Sequence, residues 1–203
     1  MLENMEKVSI VVINYNNAPL LDRCLKAAQE NNPLEIIFVD DASTDNSLKV
    51  LRKYSVSVIK NKTNIGPVKS RNIGASIAKG EYLLFLDSDS VLEKDYIGVL
   101  SDFLNSYPGV GIVSGRVTEL NGSRMWYSFG RDPRPVRDFI GNKISESIVR
   151  RPSFIKKLLA HPFILNFATD KIRRVDWVVE TGLMTRKSVF EKVGGFDENY
   201  FMF

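Results

Sequence analysis

The sequence predicts an α/β fold with a mainly parallel sheet, and three observations carry that expectation. Apolar, β-branched or aromatic runs of strand length recur at Val8 to Ile13, Glu35 to Val39, Val56 to Ile59 and Tyr82 to Leu86. Stretches with helical spacing stand between them, so strands and helices alternate. The run Tyr82 to Leu86 has no polar alternation, which marks a strand covered on both faces of a sheet.

The elements follow in order. After the first strand, Pro19, Leu20, Leu21, Cys24, Leu25 and Ala28 give a helix ending before Pro33. Ser43 reads as the N-cap of the next helix, with Asp45 in its first turn and Leu48, Val50 and Leu51 along it. Val68 to Ala78 is a helix stopped at Gly80. Asp95 to Tyr107 is another, closed by Pro108-Gly109. Val110 to Ser114 and Arg116 to Leu120 read as further strands. Regular structure resumes at Val175-Asp176-Trp177 and runs through a short helix around Ser188 to Val193.

Composition is that of an ordinary globular chain, with 203 residues, 44% hydrophobic and 26% charged. The single cysteine excludes an intramolecular disulfide and a Cys-rich zinc site, and its apolar neighbours place it on a core-facing helix side. One free thiol fits a reducing compartment. No apolar run approaches the roughly 18–20 residues needed to span a bilayer, and no signal-peptide pattern opens the chain. A cytoplasmic location is therefore expected.

The net charge of +4 suits an anionic ligand or membrane surface, although charge alone does not separate these from nucleic acid. The excess is uneven. Between Asn121 and Arg174 basic residues concentrate and large aromatics are interleaved, among them Arg124, Trp126, Tyr127, Arg150, Arg151 and Phe154. Residues 150–170 are amphipathic enough to lie on an anionic membrane, so peripheral contact at its inner face is an expectation there. His161 has no second ligand nearby and takes no metal role. Three segments follow: 1–120 as an α/β half, 121–175 as a basic and aromatic insertion, and 176–203 as a closing segment, together one domain.

Three polar clusters close successive strands: Asn14-Tyr15, Asp40-Asp41 and Asp87-Ser88-Asp89. In a parallel sheet these ends share one edge, where ligands bind. Any one cluster alone could cap the following helix. Together, with the flat ring of Tyr15, they favour a nucleotide site. Asp87 and Asp89 at i and i+2 project to one side and suit a hard cation such as Mg²⁺, which takes carboxylates plus substrate phosphates. There is no Gly-x-x-x-x-Gly-Lys-Ser/Thr loop and no Gly-x-Gly-x-x-Gly after the first strand, which disfavours P-loop and dinucleotide binding.

These motifs together resemble glycosyltransferase family 2. They are Val8 to Asn16, Val39-Asp40-Asp41-Ala42-Ser43-Thr44-Asp45, Asn64-Ile65-Gly66 with Ser70-Arg71-Asn72-Ile73-Gly74, Asp87-Ser88-Asp89, and Val175-Asp176-Trp177 with Val193-Gly194-Gly195-Phe196-Asp197-Glu198. The resemblance covers Val8 to Gly115 and Val175 to Phe203. It implies a GT-A fold with a Rossmann-like sheet, and transfer of a sugar, with inversion, from a nucleotide-diphosphate sugar to a hydroxyl on a glycan, lipid-linked or protein acceptor. UDP is the family's usual nucleotide, Mg²⁺ or Mn²⁺ its cofactor, and nucleic acid is not a partner.

Carried over by residue, the resemblance puts Ile13, Asn14 and Tyr15 at the nucleotide, with Tyr15 on the base. Asp41 bonds the base, Asp40 supports the loop, and Lys69 and Arg71 offer cations. It gives Asp87 and Ser88 to the ribose or sugar, Asp89 with Asp87 to the metal, and Trp177, Glu180, Thr181 and Gly182 to the acceptor side. The family's acidic base follows the Gly-Gly-Phe-Asp motif and is expected beyond Phe203; Glu180 is the in-chain candidate. A nucleotide-sugar binding module without turnover is the competing reading. A sugar nucleotidyltransferase ranks lower, because its glycine-rich basic loop is missing after the first strand.

Overall fold

The computed structural model describes residues 7–118, 122, 128–130 and 172–201. The basic and aromatic stretch at 150–170, with its expected membrane contact, lies outside them. The chain forms two compact units, one of Met1–Gly115 with Glu180–Phe203, the other of Arg116–Val179.

In the first unit β1 (Val8–Asn14) leads to α1 (Ala18–Glu30), β2 (Glu35–Asp40), the short α2 (Ser47–Val50), β3 (Ser57–Lys60) and α3 (Pro67–Ile77). Then come β4 (Tyr82–Asp87), α4 (Tyr96–Ser106) and β5 (Ile112–Ser114). The second unit contributes β6 (Phe129–Gly130) and β7 (Trp177–Val178), which pair with each other. The chain then returns to the first unit with β8 (Leu183–Arg186) and α5 (Lys187–Lys192).

Six strands make the main sheet, in the order β3-β2-β1-β4-β8-β5. β3, β2, β1 and β4 run parallel, and β8 is antiparallel to both β4 and β5. The sheet is thus mainly parallel, as expected. β8 escapes sequence reading because it has only four residues between a turn at Thr181-Gly182 and α5. The expected strand at 116–120 shows one bridge residue, Thr118, among its described positions.

The buried runs explain the sheet's position. All seven residues of β1 are buried, as are Tyr82 to Leu86 of β4. Each fully buried Leu or Phe contributes roughly 1.5–3 kcal/mol. Val8, Ile10 and Val12 face a core shared with Leu21, Cys24, Leu25 and Ala28 of α1 and with Ile97, Leu100 and Leu104 of α4. On the opposite face α3 lies against β1 at a glycine: a Cβ on Gly74 would stand 2.3 Å from Cγ1 of Val11. This close approach brings the α3 side chains down to the sheet edge.

Cys24 is fully buried, which confirms its core-facing place. Burial, then the negative charges of Asp89 and Asp87, push its thiol up to about 12. The thiolate is the reactive form, so the native protein is expected to resist iodoacetamide at pH 8 and to react only once denatured. Mass spectrometry reads this directly, and rapid native alkylation would contradict the packing described.

Candidate active site

A cleft of about 620 Å³ opens at the carboxyl ends of β1, β2 and β4. Its walls include Ile13, Tyr15, Asp41, Arg71, Asp87, Ser88, Asp89 and Glu180. The strand ends thus converge although they are distant in sequence. The register explains it, since Asn14 pairs with Asp40 and Ile13 with Asp87.

The loop after β1 is held by its neighbour. Asn14 Nδ2 donates to Asp40 Oδ1 (3.3 Å) and to Ser43 Oγ (3.0 Å). The Asn16 N–H also donates to Ser43 Oγ, at 2.9 Å. Ser43 is therefore a stitch between two loops and not the cap expected; Asn46 precedes the helix instead. Asp45 accepts from the N–H of Ser47 (2.9 Å) and of Ala18 (2.9 Å), so it serves the starts of two helices. Tyr15 stays half exposed at the cleft wall.

Asp41 is buried and already engaged. Its Oδ1 accepts from Asn61 Nδ2 (2.8 Å) and the Ile65 N–H (3.0 Å), and its Oδ2 from the Gly66 N–H (2.9 Å). It does not cap the helix that follows it. It fixes the turn entering α3, one strand further along the sheet.

Asp87 and Arg71 form the charged centre. Period-two alternation sets Asp87 on the face of Phe85, the α3 side, where Arg71 Nη2 meets its Oδ1 at 2.8 Å. Arg71 is buried, its Nε has no hydrogen-bond partner, and its guanidinium lies 5.9 Å from the Phe196 ring centroid. Arg71 is thus an interior residue of α3 and not a solvated one. Burial pushes the Asp87 carboxyl above its ordinary value. Arg71 opposes the shift, and the charges of Asp89 and Glu180 add to it. Asp89 is exposed in the same cleft.

Two acceptor-side residues hold the acidic turn without lining the cleft. Thr181 Oγ1 accepts from the Asp87 N–H (3.3 Å) and donates to Ser90 Oγ (2.9 Å). Gly182, at φ +72°, donates its N–H to Phe85 O (2.8 Å), and its carbonyl accepts from Tyr96 Oη (2.7 Å). Trp177 belongs to β7 of the second unit. Lys69 is exposed on α3 and is not among the lining residues. Its sequence neighbourhood suggested a cation at the nucleotide, but the turn of the helix points Arg71 inward instead.

Sequence reasoning left out Asn17, Asn64 and Phe201 from the walls. Asn17 Nδ2 donates to Ser88 Oγ at 3.1 Å and so buttresses the turn between the two acids. Phe201 gave no local signal beyond its aromatic ring.

The sheet order, with antiparallel β8 wedged beside a parallel core and acids at the strand ends, defines the GT-A fold. The chain belongs to glycosyltransferase family 2, whose signature matches residues 9–162. A poly(ribitol-phosphate) beta-glucosyltransferase of Bacillus spizizenii is 35% identical over 169 residues, 75% of this chain and 26% of that protein. Staphylococcus aureus TarS 1–349 in complex with UDP superposes with a TM-score of 0.66 at 21% identity, covering 96% of this chain and 51% of the other. The mannosyltransferase PcManGT of Pyrobaculum calidifontis, in complex with GDP-Man and Mn²⁺, gives 0.59 at 22% identity, covering 95% and 48%. The chain thus spans about a quarter of the first protein and about half of the other two. Among the described residues no helix is long and apolar enough to cross a membrane.

Proposed function

We propose that this chain carries the donor site of an inverting glycosyltransferase that uses a UDP-sugar and a divalent cation, with a hydroxyl of a cell-envelope glycan as acceptor. The observation that supports it most is the convergence of Tyr15, Asp41, Arg71, Asp87, Asp89 and Glu180 on one cleft. Tyr15 offers its ring to the base. Asp41, already fixing the turn at Gly66, keeps lone-pair capacity for a donor on that base. Related proteins whose structures contain UDP or GDP-Man share this fold.

The residues fit a hard cation. Asp87 and Asp89 supply carboxylate oxygens, and Arg71 occupies Oδ1 of Asp87. Four carboxylates, Asp41, Asp87, Asp89 and Glu180, share the cleft with one buried guanidinium. Among the described residues no group of three or more His, Cys, Asp or Glu could hold a metal by itself. Further oxygens from a diphosphate would complete the shell, as is usual for Mg²⁺. When bound, the cation would neutralise charge on the departing nucleoside diphosphate.

The chain's own groups set the rest. Arg71 orients Asp87, Thr181 and Asn17 hold the acidic turn, and the cleft walls bring donor and acceptor together. Of the carboxylates, Asp41 is committed to three donors, Asp87 is paired and Asp89 serves the metal side. Glu180, in the cleft wall, is the in-chain candidate to take the acceptor's proton.

Isothermal titration calorimetry with UDP tests the donor reading. Binding should tighten at least about tenfold with Mn²⁺ over EDTA, by roughly 1.4 kcal/mol; equal affinity in both buffers would refute the metal site. Glu180→Gln should retain UDP affinity while sugar transfer to the acceptor falls about 100-fold or more. Transfer at the wild-type rate would remove Glu180 from the role of base.

A further inference from the structure

Two adjacent side chains of α3 reach different parts of the molecule. Arg71 turns to Asp87. Asn72 turns to the segment after α5 and bonds both backbone groups of one residue. Its Oδ1 accepts from the Phe196 N–H (2.9 Å), and its Nδ2 donates to the Phe196 carbonyl (2.9 Å) and to Glu198 Oε1 (3.0 Å). A side-chain amide used in this way replaces a strand partner for a loop that has none.

The local sequence is built for that contact. Gly194 and Gly195 sit at φ +86° and +81°, a region that side chains with a Cβ rarely adopt. A Cβ on Gly195 would also stand 2.8 Å from Asn72 Oδ1. The Phe196 ring is held from the other side, 5.0 Å from Phe85 and 5.3 Å from Phe190, with Arg71 over it. Asp197 then turns the chain, accepting from the N–H and Nδ2 of Asn199 at 3.0 and 2.9 Å.

The turn delivers Phe201 to the cleft wall. Its ring lies against Gly66, where a Cβ would be 2.8 Å from Cε2 of Phe201. Gly66 is the residue whose N–H is held by Asp41. Phe201 therefore stands at the same corner of the cleft as Asp41, in a wall that also includes Tyr15.

We propose that Asn72 is a positioning residue: its carboxamide fixes the turn from Phe196 to Phe201, and Phe201 gives the cleft a second aromatic wall for the nucleoside. This rests on the donor-site reading above. Aromatic contact with a base is a substantial part of nucleotide affinity, whereas a loop that wanders contributes little of it.

The test is UDP titration in Mn²⁺ on Asn72→Ala, Phe201→Ala and the double variant, with hydrogen exchange across Phe196–Phe201. Each single variant should bind UDP about tenfold more weakly. The double should lose no more than either single, because both remove the same wall. Asn72→Ala should also speed exchange at Phe196 and leave β1 and β4 protected. A merely structural role would lower the melting temperature without changing the affinity of the folded protein.

Unchanged UDP affinity in Phe201→Ala overturns the proposal by itself, and that exposed side chain can be removed without risk to the core. Additive losses in the double variant overturn the positioning role. If the wild-type chain binds no UDP in Mn²⁺, the donor-site reading falls and this proposal with it. Wild-type binding with an unaffected Phe201→Ala sinks this proposal alone.

Discussion

Asp89→Ala is expected to reduce UDP affinity in Mn²⁺ to the level the wild type shows in EDTA, with the fold intact. The physical ground is a division between the two acids. Asp89 is exposed in the cleft, where it accepts a long hydrogen bond from Ser90 Oγ at 3.4 Å. Removing an exposed carboxylate changes stability by about 0.5 kcal/mol or less, which is a shift in melting temperature of about 2 °C or less in a chain of this size. The function loss is separate, because a hard cation draws its affinity from few, charged oxygen donors. Calorimetry with and without Mn²⁺ beside a thermal melt reads both at once. Metal-dependent binding that survived in Asp89→Ala would overturn the assignment.

Asp87→Ala is expected to act on both binding and stability. It strips the partner from Arg71, which is 4% exposed and already has an unpartnered Nε. Breaking a buried ion pair by removing one member costs about 3–5 kcal/mol. The Asp87 side chain is 38% exposed, so water reaches part of the pair and the lower end, about 3 kcal/mol, applies. The reverse change, Arg71→Ala, should cost less, because the remaining carboxylate can hydrate and shift toward protonation. Its pKa is already raised by burial. A guanidinium has no such escape, since it stays charged. Chemical denaturation of the two variants gives the order. Equal or inverted losses would show that Arg71 is not held by this pair.

The legible part of the site was the part written in short segments. Asp87 and Asp89 follow a run of apolar residues, so strand, strand end and acidic turn could all be read together. Tyr15 and Asp41 close two more such runs, and a parallel sheet aligns such ends whatever their sequence separation. Arg71 was harder. Its position on an amphipathic helix leaves its direction to helical phase, and neighbouring Lys69 has the same charge but points out to solvent. Ser43 misled because its residue type suits an N-cap, while a bond from the neighbouring strand's Asn14 competes for the same hydroxyl.

Sequence alone determined the alternation of strands and helices, the parallel core, the edge of the sheet that carries the cleft and the acids on it. These follow from hydrophobic period and from residue types that end strands, which act over a few residues. Only tertiary structure decided that β8 enters antiparallel between β4 and β5, and that Arg71 rather than Lys69 meets Asp87. The same holds for Asn72, which clamps Phe196 from 124 residues away. Each depends on which surfaces come together when the core closes. A side chain's hydrogen-bonding capacity is visible in its formula, but its partner is chosen by packing.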